Sequence, residues 1–352
     1  MDKRADIPSF EAIAQSIGAH RSELFGLAIL SIMIFHFHGL DAWAIQGGAL
    51  GAIAKVYGFF ISSIGVDVFL FLSGMGLFYS MNRDSNAAAF WKRRLTRILP
   101  TYVVCAGIGW FIRDCILAPK GLTGFFWDFS MLSFWVDGDR GVWFIALILV
   151  LYLLFPPLWR LISQPHCQRT RLYVTLLLAV YSTLLVLMSI FSPDFYSKIE
   201  IALWRVPVFV LGAWYGCLIC NGESPTMDIA MLCLFGIMLK LGTHIFTDTS
   251  TAIGYFFSLR ATRTLFAVPL IVIAVYLFEL LPTTALSRFL SWTGSLSLEL
   301  YLCHVFLRDI FYSVGLDTTS VLVHAAIIAL SFGLAVAFKT AIDRIFSRAA
   351  AK

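Results

Sequence analysis

The chain has 352 residues, of which 59% are hydrophobic and 13% charged, and it carries a net charge of +5. A water-soluble globule holds about 25% charged residues, so this composition excludes a soluble core and calls for lipid as solvent. Lys and Arg are scattered in short segments between apolar runs, which excludes a nucleic-acid footprint and reads as orientation signals.

A helix needs about 20 apolar residues to cross a bilayer. Ten such runs follow one another, near 23–41, 58–80, 98–117, 142–161, 172–191, 204–220, 227–245, 264–281, 291–312 and 319–338. Residues 1–21 precede them as a short cytoplasmic segment. The first run ends in Phe37-His38-Gly39-Leu40-Asp41-Ala42-Trp43, without a small-x-small cleavage site, and is expected to stay as a helix. After the second run comes the most basic segment, Phe90-Trp91-Lys92-Arg93-Arg94-Leu95-Thr96-Arg97. The longest connection, 113–141, is rich in Asp, Gly and Trp. With the N-terminus inside, 16 of the 26 Lys and Arg residues fall on the cytoplasmic side, so both termini are expected there. The expectation is one membrane domain over 1–352, an all-α polytopic transmembrane bundle of about ten helices with no appended soluble domain.

Seven cysteines are spread along the chain: Cys105, Cys115, Cys167, Cys217, Cys220, Cys233 and Cys303. Cys217 and Cys220 form a CxxC on a membrane helix, with no second pair and no βαβ context, and read as small packing residues rather than a redox or zinc site.

Ionisable groups at membrane depth are costly, so each is a candidate for function. His36, Asp67, Glu299 and His304 qualify. At about 1.5 Å rise per residue, His36 and His304 lie about 20 Å from the inner face and Asp67 about 15–20 Å, a common level in the outer half of the bilayer. A carboxylate beside a histidine fixes its tautomer and raises its basicity, as a general base requires. The plainer alternative is three satisfied packing residues. His38, two residues on, points to another face and is read as interfacial. On the inner side, Arg94 and Arg97 share a face if helical, and with Lys92 and Arg93 they suit a phosphorylated ligand, guanidinium forks matching phosphate oxygens; any inside loop is also basic. Pro100 is expected near the start of the third helix, where proline is tolerated. On the outer side, Asp137, Asp139, Arg140, Trp143, Lys198, Glu200 and Arg205 stand at helix mouths, as for a sugar or as in any aromatic belt.

Several segments, in order, resemble acyltransferase family 3. They are Glu23-Leu24-Phe25-Gly26-Leu27 running to Phe35-His36; Gly65-Val66-Asp67-Val68-Phe69-Leu70-Phe71-Leu72-Ser73-Gly74, the most specific; Arg94-Leu95-Thr96-Arg97-Ile98-Leu99-Pro100 as an RxxR-I-x-P segment; Trp143-Phe144 with Tyr152-Leu153-Leu154-Phe155-Pro156; Arg205-Val206-Pro207 to Gly212; and Gly294-Ser295-Leu296-Ser297-Leu298-Glu299-Leu300-Tyr301-Leu302-Cys303-His304. Together they cover about residues 20–310. One departure is Phe25, where the family often carries Arg eleven residues before its catalytic His; Arg21 is the nearest substitute.

The resemblance implies a membrane acyltransferase, an O-acetyltransferase in most cases, using acyl-CoA, usually acetyl-CoA, and no metal. The acceptor is commonly a cell-surface or lipid-linked carbohydrate, and the location a bacterial cytoplasmic membrane. On that reading His36, which matches the family's catalytic His, is oriented by Asp67 and acts as base, with an acyl-His intermediate as the alternative. Lys92, Arg93, Arg94 and Arg97 hold the CoA phosphates. Ser73, Tyr301 or His304 serve the oxyanion or the acceptor, Trp143 and Arg205 meet the acceptor outside, and Glu299 completes the candidate set. The rival class is a transporter or flippase for a glycan or small molecule, which also fits ten helices with a polar midplane but predicts repeated halves that the sequence does not display.

Overall fold

The computed structural model describes residues 7–61, 64–164, 167–246, 262–281 and 285–350. In chain order the helices are α1 (Phe10–Ser16), α2 (Arg21–Phe35), α3 (Gly39–Gln46), α4 (Gly48–Phe60), α5 (Gly65–Arg83), α6 (Ala87–Phe111), α7 (Gly121–Phe129), α8 (Leu132–Asp137), α9 (Trp143–Ile162), α10 (Cys167–Phe191), α11 (Pro193–Leu203), α12 (Val206–Cys220), α13 (Thr226–Phe246), α14 (Thr262–Leu280), α15 (Ala285–Ser295), α16 (Ser297–Ser313) and α17 (Val321–Ala350). The described residues contain no strand, and the fold is all-α. A helix lies over each of the ten apolar runs. Six helical stretches are long and apolar enough to cross a bilayer, or seven if the pair α1 and α2, bent by 82°, counts as one span; α14 adds a shorter apolar helix. Leu172, Leu176, Val180, Leu184 and Leu187 of α10 are all exposed, a contiguous apolar face that only lipid covers cheaply.

Several boundaries differ from the sequence expectation. The helix carrying the basic cluster begins at Ala87, not near residue 98, because Asn86 caps it: its Oδ1 accepts from the Ala89 backbone N–H at 3.0 Å. Pro100 therefore sits inside α6 rather than at its start. It offers no N–H to the Thr96 carbonyl. The 113–141 connection is largely helical. It holds a π-helical turn, Ile112–Leu117, followed by α7 and α8. The first run stops at Phe35, and its tail becomes a separate helix, α3.

The chain forms two compact units, each discontinuous in sequence. One comprises Met1–Ala28, Ile64–Phe90 and Leu149–Gly294; the other Ile29–Ser63, Trp91–Ile148 and Ser295–Lys352. In the first, α5 and α12 are held at backbone contact by glycines. A Cβ at Gly74 would stand 2.1 Å from the Phe209 carbonyl oxygen, and one at Gly212 would stand 2.0 Å from that of Phe71. Gly212 and Gly216 are four apart on α12 and line up as the small-xxx-small pattern that lets membrane helices meet closely. Gly26 and Gly294 do the same for α2 and α15, facing the carbonyls of Leu290 and Ser22. In the second unit, the Tyr57 hydroxyl of α4 donates to the Ser31 carbonyl at 2.9 Å, tying α4 back to α2.

Candidate active site

In the second unit the chain brings two imidazoles together. His36 follows the last residue of α2, and its backbone N–H still bonds the Ile32 carbonyl at 3.2 Å, so the helix itself aims the side chain. His304 lies mid-way along α16 and is 2% exposed. His36 Nδ1 and His304 Nε2 are 2.8 Å apart. The other nitrogen of His304, Nδ1, stands 3.0 Å from the Leu300 carbonyl oxygen.

That second contact fixes the protons. A carbonyl oxygen only accepts, so His304 Nδ1 carries the hydrogen and donates it. A neutral imidazole has one N–H, so His304 Nε2 is an acceptor. His36 Nδ1–H must then donate to it, which leaves the lone pair on His36 Nε2. Of the three groups expected at one depth, His36 and His304 are in direct contact.

Helical periodicity surrounds the pair with polar groups. Tyr301, His304 and Arg308 stand at i, i+3 and i+7, on one stripe of α16. The Tyr301 ring lies 6.0 Å from His304 and edge-on to Phe144 at 5.4 Å. Beside Phe144, Trp143 is the first residue of α9 and is 9% exposed. A turn from His304, the buried Glu299 accepts from Thr101 Oγ1 at 3.1 Å, pinning α16 to α6. His38 is exposed.

Asp67 belongs to the first unit. It is the third residue of α5, where a carboxylate meets the positive end of the helix dipole, and it is 1% exposed. Its Oδ2 lies 3.8 Å from Arg205 Nε. Arg205 is 4% exposed, and its Nη1 also donates to the Ile201 carbonyl at 2.8 Å. Ser73 sits further along α5, half-buried. Arg21 places its guanidinium over the Phe25 ring at 4.8 Å, and Phe25 in turn packs on Phe69 at 5.1 Å.

Lys92, Arg93, Arg94 and Arg97 occupy the first half of α6 and are therefore helical, with Lys92 and Arg97 exposed and Arg93 and Arg94 half-buried. Lys198 is exposed, whereas Glu200 is 7% exposed. In the 113–141 segment Asp137 accepts from Trp127 Nε1 at 2.6 Å. Asp139 joins a network that sequence reading missed. Arg113 bonds Asp114 at 3.0 Å, Asp128 at 2.7 Å and Asp139 at 3.2 Å, and Lys120 bonds Asp128 at 3.0 Å. Burial works against ionising Asp128. Hydrogen bonds from Ser133 and Lys120 and the charges of Arg113 and Lys120 outweigh it and hold the carboxyl below the usual carboxylate range. Nothing in the sequence spacing marked these partners, because the π turn resets the helical phase at Arg113 and Asp114. Arg140 is exposed. Among the described residues no group of three His, Cys, Asp or Glu side chains is placed to hold a metal ion.

A family model described as an acyltransferase domain matches residues 26–340. No curated protein and no solved structure matches the chain.

Proposed function

The chain belongs to acyltransferase family 3 and is a membrane acyltransferase, and from that premise we propose that it moves an acetyl group from cytoplasmic acetyl-CoA to a hydroxyl of an extracytoplasmic glycan or glycolipid. The observation that carries the reading is the His36–His304–Leu300 line of hydrogen bonds, which leaves a basic nitrogen on a ring inside the bundle.

An acceptor hydroxyl is a weak nucleophile near neutral pH. His36 Nε2 takes its proton as the oxygen attacks the thioester carbonyl carbon. The tetrahedral intermediate collapses, the C–S bond breaks, the thiolate of CoA leaves and takes up the proton, and the ester remains on the acceptor. His304 stabilises the imidazolium formed in between, because its Nε2 faces the His36 Nδ1–H and shares the charge. The Tyr301 O–H is the oxyanion donor of this reading. Arg94 and Arg97, with Lys92 and Arg93, hold the CoA phosphates at the inner end of α6, and the thin pantetheine arm carries the thioester inward. Asp67 acts through Arg205 in the first unit, where the ion pair keeps a guanidinium at the start of α12; in the second unit Trp143 is the acceptor contact of this reading. Ser73 remains a candidate for positioning. The membrane in question is the bacterial cytoplasmic one.

The test is acyl transfer from radiolabelled acetyl-CoA by purified protein in lipid nanodiscs. His36→Ala is expected to abolish label transfer while the variant stays folded and inserted. Full activity in that variant ends the base assignment.

A further inference from the structure

Arg308 and Asp309 have no task in the mechanism above, yet they lie at its edge. Arg308 stands one turn beyond His304 on the same stripe of α16. It is an electrostatic neighbour of both His36 and His304, and Arg308 and Asp309 together neighbour Tyr301. Their side chains are 24% and 23% exposed.

The way the two residues meet leaves most of their hydrogen-bonding capacity outward. Arg308 Nε and Nη2 both point to one oxygen, Asp309 Oδ1, at 3.1 and 2.8 Å. Adjacent helical residues do not face each other, so this contact bends the guanidinium sideways and does not form the two-oxygen fork of a closed pair. Nη1 of Arg308 and Oδ2 of Asp309 have no protein partner among the described residues and are not sealed from the surface. The result is an electrically neutral edge with donors on one side and an acceptor on the other.

We propose that Arg308 and Asp309 bind the acceptor, taking a vicinal diol of an uncharged sugar with the guanidinium donating to one hydroxyl oxygen and the carboxylate accepting from its neighbour. The inference rests on the acyl-transfer reading and narrows its substrate class to neutral carbohydrate. An acidic sugar would meet the Asp309 carboxylate and be repelled. A purely cationic site would have favoured it.

Two measurements separate this inference from the reading beneath it. Saturation-transfer NMR on the unaltered protein in nanodiscs, with neutral disaccharides such as cellobiose and maltose against a disaccharide bearing a uronic acid, needs no turnover. Binding of a neutral sugar that persists in His36→Ala and disappears in Arg308→Gln and Asp309→Asn supports the site. Equal binding in all four proteins overturns it, as does binding of the acidic sugar alone. In acetyl transfer to the same neutral sugars, Arg308→Gln and Asp309→Asn are expected to raise the acceptor KM relative to the acetyl-CoA KM by about ten- to hundredfold, the scale of one hydrogen bond to a charged group. Arg308→Lys recovers part of that loss. Both KM values rising together overturn the site in favour of a structural role. Sugar binding without any thioester cleavage by the unaltered protein would leave the sugar site standing and sink the acyl-transfer reading.

Discussion

His304 holds its hydrogen on Nδ1 because a main-chain oxygen, Leu300, takes it. No exchange of the Leu300 side chain touches that oxygen, so Leu300→Met is expected to leave acetyl transfer intact. Removing the acceptor ring is another matter. His304→Phe is expected to lower kcat by about a hundredfold, within the range for general-base catalysis, while the acetyl-CoA KM stays put. His304→Gln restores a carbonyl oxygen near His36 Nδ1 and should recover part of the rate, as single-turnover measurements would register. Arg205 belongs at this scale too. The sequence marks it as a mouth residue, and it is buried beside Asp67, so Arg205→Ala breaks a buried ion pair and costs about 3–5 kcal/mol, read as a fall in thermal unfolding temperature in detergent.

Among the elements, α5 and α12 approach so closely that a methyl group has no room. Gly212→Leu is expected to destabilise the protein by about 1–3 kcal/mol through overpacking, whereas a change at Gly58, whose Cβ would meet nothing within 4 Å, is tolerated. Helix α6 carries the basic cluster on its first turns, so its charges act as an array. The affinity for CoA should fall as salt rises, and Arg94→Ala with Arg97→Ala should give both weaker binding and a flatter salt dependence in equilibrium titration. The segment around α7 supplies the pH prediction. The Asp128 carboxyl is depressed in the folded state, so its contribution to stability is complete above the unfolded value of about 3.9 and is lost as pH falls through the lower folded value. The thermal unfolding temperature of the unaltered protein should therefore exceed that of Asp128→Asn at neutral and mildly acidic pH, and the gap should close only below about pH 4.

For the molecule as a whole, helix existence was legible and helix edges were not. Apolar runs register the burial of side chains in lipid, and all ten carry a helix. Boundaries depend on short polar devices, such as the Asn86 cap and the π turn at Ile112–Leu117, that leave little trace in hydropathy. Rise per residue is fixed, so the sequence could put His36, Asp67 and His304 at one depth, but not say which of them touch. The hydrogen on each ring nitrogen did not follow, since it depends on the Leu300 carbonyl, which has no sequence signature. Arg308 is within reach of helical spacing from His304, but it lies nearer the helix end, where a cation looks ordinary. The two halves of the histidine pair are 268 residues apart. At a synthesis rate of roughly 5–20 residues per second, the ribosome needs about 13–54 seconds to make the second after the first. A nascent chain lacking α16 lacks the ring that His36 meets, so the pair can assemble only when almost all of the chain has been made.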